Sequence, residues 1–479
     1  MSEISRREFI KISGAAGAGM AVRPLAGLAA QTARNSGRPN FIVYISDDLG
    51  MLYSEPYGNK DILTPNLARF AAEGVKFTHA FNASPTCGPS RTAMLTALWP
   101  ARNGAEANHK HPKPGVEGLP NLLKALGYEV AAVGKVAHND YAKYYNFDFQ
   151  VGPNSGATDT AEVAKFLADR DASKPLCLFF GSHFPHTPWV KNAGYDLTKF
   201  TLPPTLVDTP IMREQFARYA SSVSRTDALL GEFRLLVQKY VPGDSLFIST
   251  ADHGAQLPFA KWDLYDAGTR VPFIASWPGK LKPGAINDAM ICLPDLLPTF
   301  IELAGGTVPA GLDGKSFAGV FRGTTTAHRD QAFNTHSGDG DFNVYPIRSL
   351  RTREWKYILN LHPEFQHHTH VSRSLNPETG IRYWTSWLAE SKTNPAAAAV
   401  VKRFIQRPAE ELYDLVADPF EMNNLAADPK QAGRLTAMRA ELQAWMKEQG
   451  DIGAVYGRPL LLGQPVEMIA SKHKNETES

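Results

Sequence analysis

The sequence predicts an α/β fold in which a large, mostly parallel sheet is sandwiched by helices, with a smaller C-terminal antiparallel sheet plus helix. From Asn40 onward, short apolar runs alternate with amphipathic stretches, which is typical of a parallel sheet covered on both faces. Polar residues come directly after several of these runs, where such sheets bind their ligands. Beyond Arg322 the composition shifts, which indicates a second, smaller domain.

The individual elements follow from the same patterns. The expected strands of the large sheet are the apolar runs at 40–46, 129–133, 176–181, 245–250 and 272–276. Helical periodicity predicts the intervening helices at 64–73, 119–126, 160–170 and 213–240. In the C-terminal part, the stretch 345–353 leads into a strand at 356–361, and a helix is expected at 430–448.

Length and composition limit the class of protein. The 479 residues allow one large core and a smaller domain. We expect a main domain at 38–340, a second at 341–460 and a tail at 461–479. The formal net charge is +2 with both signs mixed, so no basic stripe indicates nucleic acid. Three cysteines are too few for a disulfide framework, and Cys177 and Cys292 lie in apolar runs typical of a core.

The N-terminus has the order of features of an export signal. The pattern SRREFIK at 5–11 is a twin-arginine motif, and a mild Gly/Ala-rich apolar run follows at 12–22. That run is too short to span a membrane and is interrupted by Arg23 and Pro24. We therefore expect a signal peptide at 1–30, export by the twin-arginine (Tat) machinery to a bacterial periplasm or beyond, and no stable membrane insertion.

Acidic residues follow two of the expected strands. Asp47 and Asp48 come directly after the first strand, and Asp252 and His253 follow the strand expected at 245–250. Because neighbouring carboxylates repel, three of them at adjacent strand ends indicate a cation between them, in an oxygen site suited to Ca²⁺ or Mg²⁺. The imidazole of His253 favours zinc or manganese instead. For the Asp pair alone, a solvated loop or a helix cap is the alternative.

Cys87 lies at the expected N-terminus of a short helix. Pro89 suits a first helical turn, which tolerates its missing N–H, and good helix formers follow at 92–98. Free backbone N–H groups and the helix dipole favour anions there, so we expect a lowered thiol pKa. The pattern indicates a reactive cysteine, with an inert core cysteine as the alternative.

The residues around this cysteine read CGPSR at 87–91. They resemble the C-x-P-S-R signature of the type I sulfatases, which belong to the alkaline-phosphatase-like superfamily. In that family a dedicated generating enzyme oxidises the cysteine to formylglycine, the catalytic aldehyde. One position departs from the family pattern, because Ala97 stands where the family usually has Gly. The resemblance covers nearly all of the mature chain.

Further stretches resemble sulfatase signatures. GKVAH contains Lys135 and His138 and is similar to the spacing of iduronate-2-sulfatases. HFPHTPW contains His186 and resembles the His-x-Pro-His stretch of the family, and Lys261 lies where sulfatases carry a sulfate-binding lysine. The motif ELYDL, followed by Asp-Pro, resembles the C-terminal domain of N-sulfoglucosamine sulfohydrolases.

The resemblance implies a role for each residue. The implied metal ligands are Asp47, Asp48, Asp252, His253 and the modified Cys87. Calcium is the implied ion, and Mg²⁺ or Mn²⁺ are less favoured. Arg91, Lys135 and Lys261 would hold the sulfate oxygens and the aldehyde hydrate. His186 would protonate the leaving oxygen or nitrogen, and His138 would help deprotonate the hydroxyl that expels sulfate. A plain thiol could not complete this cycle, since it has no second hydroxyl.

The implied substrate is a sulfated saccharide of glycosaminoglycan type, and the implied partners are the formylglycine-generating enzyme and the export machinery. Two other functions stay open: a phosphodiester or phosphonate monoester hydrolase of the same superfamily, and an inactive glycan-binding homologue. Asp339 and Asp341 could read sugar hydroxyls or an amine. The segment 362–407 holds histidines and tryptophans and is expected to be a solvated or substrate-facing loop, with a metal-binding cluster as the alternative.

Overall fold

The structure is a computed structural model that describes residues 37–138, 143–152 and 160–470. The expected signal peptide at 1–30 and the end of the expected tail, 471–479, lie outside the described residues. Two sheets organise the described part of the chain, one with eight strands and one with four.

The eight-stranded sheet is mostly parallel, as predicted. Its strands are β1 (Asn40–Ser46), β2 (Val75–Phe81), β3 (Glu129–Gly134), β4 (Phe149–Val151), β5 (Leu176–Ser182), β6 (Ser245–Ala251), β7 (Phe273–Ser276) and β8 (Ala285–Cys292). Their order is β4-β3-β5-β1-β6-β7-β2-β8. Strand β1 is parallel to its neighbours β5 and β6. Strand β7 is antiparallel to both of its neighbours.

Both faces of this sheet are covered. Alternate residues of β1 enter different cores: Phe41 and Val43 belong to one cluster of buried residues, and Ile42 and Tyr44 belong to another. This alternation follows from the two-residue period of a strand. The sheet is therefore a central layer between helices, which leaves its carboxyl edge free for polar residues.

The helices around the large sheet are Pro65–Glu73, Cys87–Thr96, Pro100–Asn103, Leu119–Lys124, Thr160–Asp169, Pro210–Tyr240, Asp266–Thr269, Leu296–Leu303 and Ala318–Phe321. The longest begins before its predicted start at residue 213. The reason is local, because the Thr209 side chain accepts a hydrogen bond from the Met212 N–H and Pro210 occupies the first turn. Within the described ranges, no helix combines the length and the apolar character that crossing a membrane requires.

The C-terminal part forms the predicted small antiparallel sheet with its helix. Its strands are β9 (Ala332–His336), β10 (Ile347–Arg351), β11 (Trp355–Asn360) and β12 (Glu410–Asp414), in the order β12-β11-β10-β9. The helices of this part are His370–Arg373, Ile381–Glu390, Pro395–Ile405 and Ala432–Gln449. Strand β9 begins before the predicted boundary at residue 340.

The expectation of a solvated or substrate-facing loop at 362–407 is wrong for the large side chains of that segment. His367, Trp384 and Trp387 are buried, and the first two pack against Phe404. Neither group of possible metal ligands found among the described residues includes a histidine of this segment. Its apolar side chains therefore serve the core.

Candidate active site

The carboxyl ends of β1, β3, β5 and β6 meet at one edge of the large sheet, as their parallel pairing requires. Asp47 directly follows β1, Lys135 follows β3, His183 follows β5 and Asp252 follows β6. All but His183 are buried. The structure thus brings together the strand-end residues that the sequence singled out.

Four buried groups at this edge fit a divalent cation. Asp47, Asp48, Cys87 and His253 each offer one ligand atom, and these atoms all lie within 4.8 Å of one another. The Nδ1–H of His253 donates to the Gly254 carbonyl at 2.9 Å. In the neutral ring this leaves the lone pair on Nε2, which lies 3.4 Å from Asp48 Oδ1. Such an outer hydrogen bond fixes the tautomer that a metal ligand needs.

Asp252 borders this group. Its Oδ2 lies 3.5 Å from His253 Nε2, and its Oδ1 accepts hydrogen bonds from the N–H groups of Asp48 and His253. Arg91 donates to Asp252 Oδ2 at 2.8 Å and to Asp47 Oδ1 at 3.2 Å. It also donates to two backbone carbonyls just after β3. These contacts of Arg91 orient the carboxylates, so Arg91 supports the possible metal ligands.

Cys87 is the first residue of its helix, which confirms the predicted position at a helix N-terminus. Its Sγ lies 3.2 Å from His253 Nε2, 3.5 Å from Lys135 Nζ and 3.6 Å from Asp47 Oδ1. The prediction of a lowered thiol pKa at Cys87 is wrong. Burial, and then the Asp47 carboxylate, raise the pKa of this thiol and outweigh the nearby ammonium groups.

Two lysines pair with the adjacent carboxylates. Lys135 Nζ lies 2.5 Å from Asp47 Oδ2, and Lys261 Nζ lies 3.0 Å from both oxygens of Asp48. Burial alone would lower the pKa of Lys261, but the Asp48 carboxylate raises it. Together with the Arg91 contacts, the site therefore pairs three carboxylates with three cationic side chains: Asp47, Asp48 and Asp252 with Arg91, Lys135 and Lys261. A divalent cation added to this balanced set would leave the site positive and suited to an anion.

Two histidines of the site, His186 and His138, have pKa values far below the ordinary one. Burial, followed by the charges of Lys261 and Lys135, holds the pKa of His186 well below its usual range. Its Nδ1–H donates to the Thr187 carbonyl. Burial likewise lowers the pKa of His138 well below its ordinary value. His183, for which the sequence predicted no catalytic role, lies with Nδ1 3.7 Å from Asp47 Oδ2.

The sequence did not predict that Asn108 and His109 belong to the site. Asn108 Oδ1 accepts a hydrogen bond from the Gly88 N–H at 3.0 Å, and His109 Nδ1 lies 3.1 Å from His138 Nε2. No strand end or short motif marks these two residues. A long-range backbone bridge between Asn108 and Asp339 brings their loop to the site.

A group of buried carboxylates that fits a divalent cation lies beside positive side chains that suit an anion. Such a combination at the carboxyl edge of an α/β sheet is suited to the hydrolysis of anionic esters. Comparisons with known proteins make the class specific. The sulfatase family model matches residues 39–306, and the model of the C-terminal part of N-sulphoglucosamine sulphohydrolase matches residues 254–370.

Individual relatives agree with the family models. An ulvan-active sulfatase of Formosa agariphila is 32% identical over 87% of this chain and 82% of its own length. Human N-sulphoglucosamine sulphohydrolase is 27% identical over 86% of this chain and 90% of its own. The chain belongs to the sulfatase family, and it is an enzyme that hydrolyses sulfate esters.

Solved structures share the fold at lower identity. A protein solved in complex with its substrate D-glucosamine-2-N,6-O-disulfate superposes with a TM-score of 0.65 at 20% identity, over 87% of this chain and 99% of that one. A phosphonate monoester hydrolase from Silicibacter pomeroyi superposes with a TM-score of 0.64 at 17% identity, over 87% and 96%. These likenesses show the fold alone.

Proposed function

We propose that this sulfatase is metal-dependent, uses a formylglycine made from Cys87, and acts on sulfated saccharides of the glycosaminoglycan or ulvan type. The position of Cys87 Sγ carries the proposal, since this atom lies between His253, Lys135 and Asp47 at a buried helix start. In the proposal, Sγ stands in for the oxygens of the hydrated aldehyde. The names of the relatives support the substrate class.

The donor set supports a hard divalent cation. Asp47, Asp48, Asp252 and His253 would hold it together with residue 87, with Ca²⁺ favoured and Mg²⁺ or Mn²⁺ as alternatives. When bound, such an ion would supply Lewis-acid polarisation and would make a hydroxyl at residue 87 more acidic.

The remaining residues would bind the anion and move protons. Lys135 and Lys261 would hold sulfate oxygens, because each carries a buried ammonium group beside the possible ligands. His186 would protonate the leaving atom at Nε2, and the negative charge of bound sulfate would favour that protonation. His138 would accept a proton from the hydroxyl at residue 87. Arg91 would hold Asp47 and Asp252 in place, and its positive charge near residue 87 would help to hold the aldehyde hydrate and the sulfate oxygens.

The same proposal includes export. The twin-arginine pattern at 5–11 supports transport by the Tat machinery to the periplasm or the exterior. Folded export also fits a cysteine that the formylglycine-generating enzyme must modify beforehand in the cytoplasm.

Mass spectrometry of the peptide that contains Cys87 tests the proposal. The full chain is co-expressed with a formylglycine-generating enzyme, and we expect a mass loss that matches conversion of the thiol to the aldehyde. The same protein should hydrolyse an aryl sulfate faster than an aryl phosphate diester, and a Cys87→Ala variant should hydrolyse neither. A panel of sulfated saccharides with and without a chelator then tests substrate class and metal dependence.

The outcomes separate the alternatives. Full turnover by protein whose Cys87 is unmodified would overturn the formylglycine nucleophile. Faster hydrolysis of the phosphate diester would favour the phosphodiester or phosphonate hydrolase. Activity that is unchanged after chelation and restored by no metal would overturn metal dependence.

A further inference from the structure

A chain of side chains leads away from His138 to a buried carboxylate. His138 Nε2 lies 3.1 Å from His109 Nδ1, and His109 Nε2 lies 3.3 Å from Asp339 Oδ1. His138 and Asp339 are buried, whereas nearly half of the His109 side chain is exposed, at 45%. These contacts therefore connect His138, in the site, to the protein surface through the His109 imidazole.

We propose that His109 and Asp339 are positioning residues that set the tautomer of His138. This inference rests on the proposed function only in giving His138 the role of proton acceptor. Its geometric part concerns which ring nitrogen of His138 carries hydrogen.

The tautomers of His109 and His138 follow from the charge state of Asp339, which accepts the last hydrogen bond of this series. Burial alone would raise the pKa of Asp339, but His370 and the hydrogen bond from His109 hold it well below its usual range. Asp339 is therefore a carboxylate, which only accepts. In its neutral form His109 donates to Asp339 from Nε2, so its Nδ1 carries the lone pair. His138 must then donate from Nε2, which leaves its Nδ1 as the proton acceptor.

A second donor near His109 does not change this assignment. Asn108 Nδ2 lies 3.4 Å from His109 Nε2, but the same nitrogen donates to Asp339 Oδ1 at 3.0 Å. An ionised carboxylate is a stronger acceptor than an imidazole nitrogen. The second N–H of the amide does not alter the assignment, because a lone pair on His109 Nε2 would face the Asp339 carboxylate oxygen 3.3 Å away. His109 Nε2 therefore carries hydrogen.

Asp339 connects three parts of the site. Besides His109, it accepts a hydrogen bond from Asn108, whose side chain holds the Gly88 N–H next to Cys87. It also accepts from Trp262 Nε1 at 2.6 Å, and Lys261 Nζ lies over the Trp262 ring. These bonds occupy the carboxylate from inside the protein. Asp339 is therefore placed to orient the side chains of the site rather than to hydrogen-bond with sugar hydroxyls.

Nitrogen-15 NMR of the full chain, labelled at histidine, tests the tautomer directly. The His138 signals are assigned by their loss in a His138→Gln variant. We expect His138 to be protonated at Nε2 in the parent protein and to become a mixture of tautomers in His109→Gln. His111→Gln is the matched control, because His111 lies two residues further along and packs beside Tyr144; it should leave the His138 signals unchanged.

Kinetics provide the second readout. In His109→Gln, kcat for a sulfated substrate should fall by about 10- to 100-fold, because a base in a mixture of tautomers loses part of the roughly 10²- to 10⁴-fold contribution of general-base catalysis. KM should change by less than about threefold. Asp339→Asn should act in the same direction. If Asp339→Asn fails to fold, His109→Gln alone decides.

Three results would overturn the proposal: an Nδ1-protonated His138 in the parent protein, His138 signals insensitive to His109→Gln, or a rise in KM with kcat retained. A rise in KM with kcat retained would indicate that His109 contacts the substrate instead. Failure of the proposed function would look different. It would leave Cys87 unmodified or sulfate hydrolysis absent, while NMR would still report the tautomer of His138.

Discussion

Asp295 shows at the residue scale how a buried carboxylate stays charged. It pairs with Arg329 and accepts hydrogen bonds from the His328 ring and from the backbone N–H groups of Cys292 and Lys315. Burial alone would raise the pKa of Asp295, but the Arg329 guanidinium outweighs burial and holds the pKa below its ordinary value. Asp295 therefore joins the end of β8 to two later loops as an ionised group.

This pairing predicts a pH-dependent stability. Because the folded pKa of Asp295 lies below the unfolded one, its contribution is present above about pH 4 and is lost as the pH falls further. Asp295→Asn should lower the free energy of unfolding by about 3 kcal/mol near neutral pH, and this difference should shrink below about pH 4. Urea unfolding at a series of pH values measures it. The exposed Asp330→Asn is the control; a difference that stays constant with pH would contradict the prediction.

The site residues that could be predicted from the sequence are those that directly follow a strand. Asp47 and Asp252 directly follow apolar strands, so a parallel sheet must bring them to one edge. His109 lies in a loop with no such marker and reaches the site through a contact with Asp339, 230 positions away in the chain. The pKa of Cys87 was mispredicted for a similar reason. Helix position is a local property, whereas burial depends on the whole fold.

At the scale of elements, Ala97 ends the helix that begins at Cys87. Its backbone is left-handed, with φ 53° and ψ 26°, and its N–H donates to the Ala93 carbonyl. Glycine is favoured in this conformation because a Cβ there costs roughly 1 kcal/mol or more. The sulfatase family usually has glycine at this position, and the left-handed backbone explains that preference.

Ala97→Gly should therefore be nearly neutral. Relief of the left-handed backbone gains roughly 1 kcal/mol, and loss of the buried methyl group costs about 0.8 kcal/mol. Ala93→Gly is the matched control, since Ala93 is equally buried but lies inside the helix. It should cost about 2 kcal/mol, because helix propensity and methyl burial are lost together. Equal losses of unfolding free energy in urea would refute the argument.

The elements that the sequence missed have weak patterns. Strand β2 carries lysine, threonine and histidine at its partly exposed positions, and the first half of β8 mixes apolar and polar residues, none of which is buried. Strand β4 has only three residues. The buried central strands β1, β5 and β6 were found because their apolar runs are continuous. Tertiary pairing, rather than composition, makes β2, β4 and β8 strands.

At the scale of the whole molecule, the two sheets share one core. Phe81 on β2 and Met290 on β8 belong to the same cluster as Leu350 and Tyr357 of the small sheet. The helix Ala432–Gln449 completes this cluster with Leu442 and Trp445. Because apolar burial crosses from one sheet to the other, we expect both to unfold in a single transition.

A buried charge cluster crosses the same interface. Lys356 on β11 is fully buried, with Nζ 2.6 Å from Asp266 Oδ1 and 3.1 Å from Glu421 Oε1. Asp266 begins a short helix next to the large sheet, and Arg351 on β10 also pairs with it. Burial raises the pKa of Glu421 to about 7 even beside the Lys356 ammonium. Removing that ammonium would leave two buried carboxyl groups with one fewer counter-charge.

Lys356→Met should therefore destabilise both sheets together, by about 3–5 kcal/mol near pH 8. The loss should be smaller near pH 5, because Glu421, whose folded pKa lies above its unfolded value, then carries a proton at little cost. Adding Glu421→Gln should recover part of the stability, since the amide oxygen still accepts from the Asp266 N–H. Calorimetry and urea unfolding with two probes measure these effects, and exposed Lys430→Met is the control. Two separate transitions, or a loss that is greater at pH 5 than at pH 8, would show that the cluster does not couple the sheets in this way.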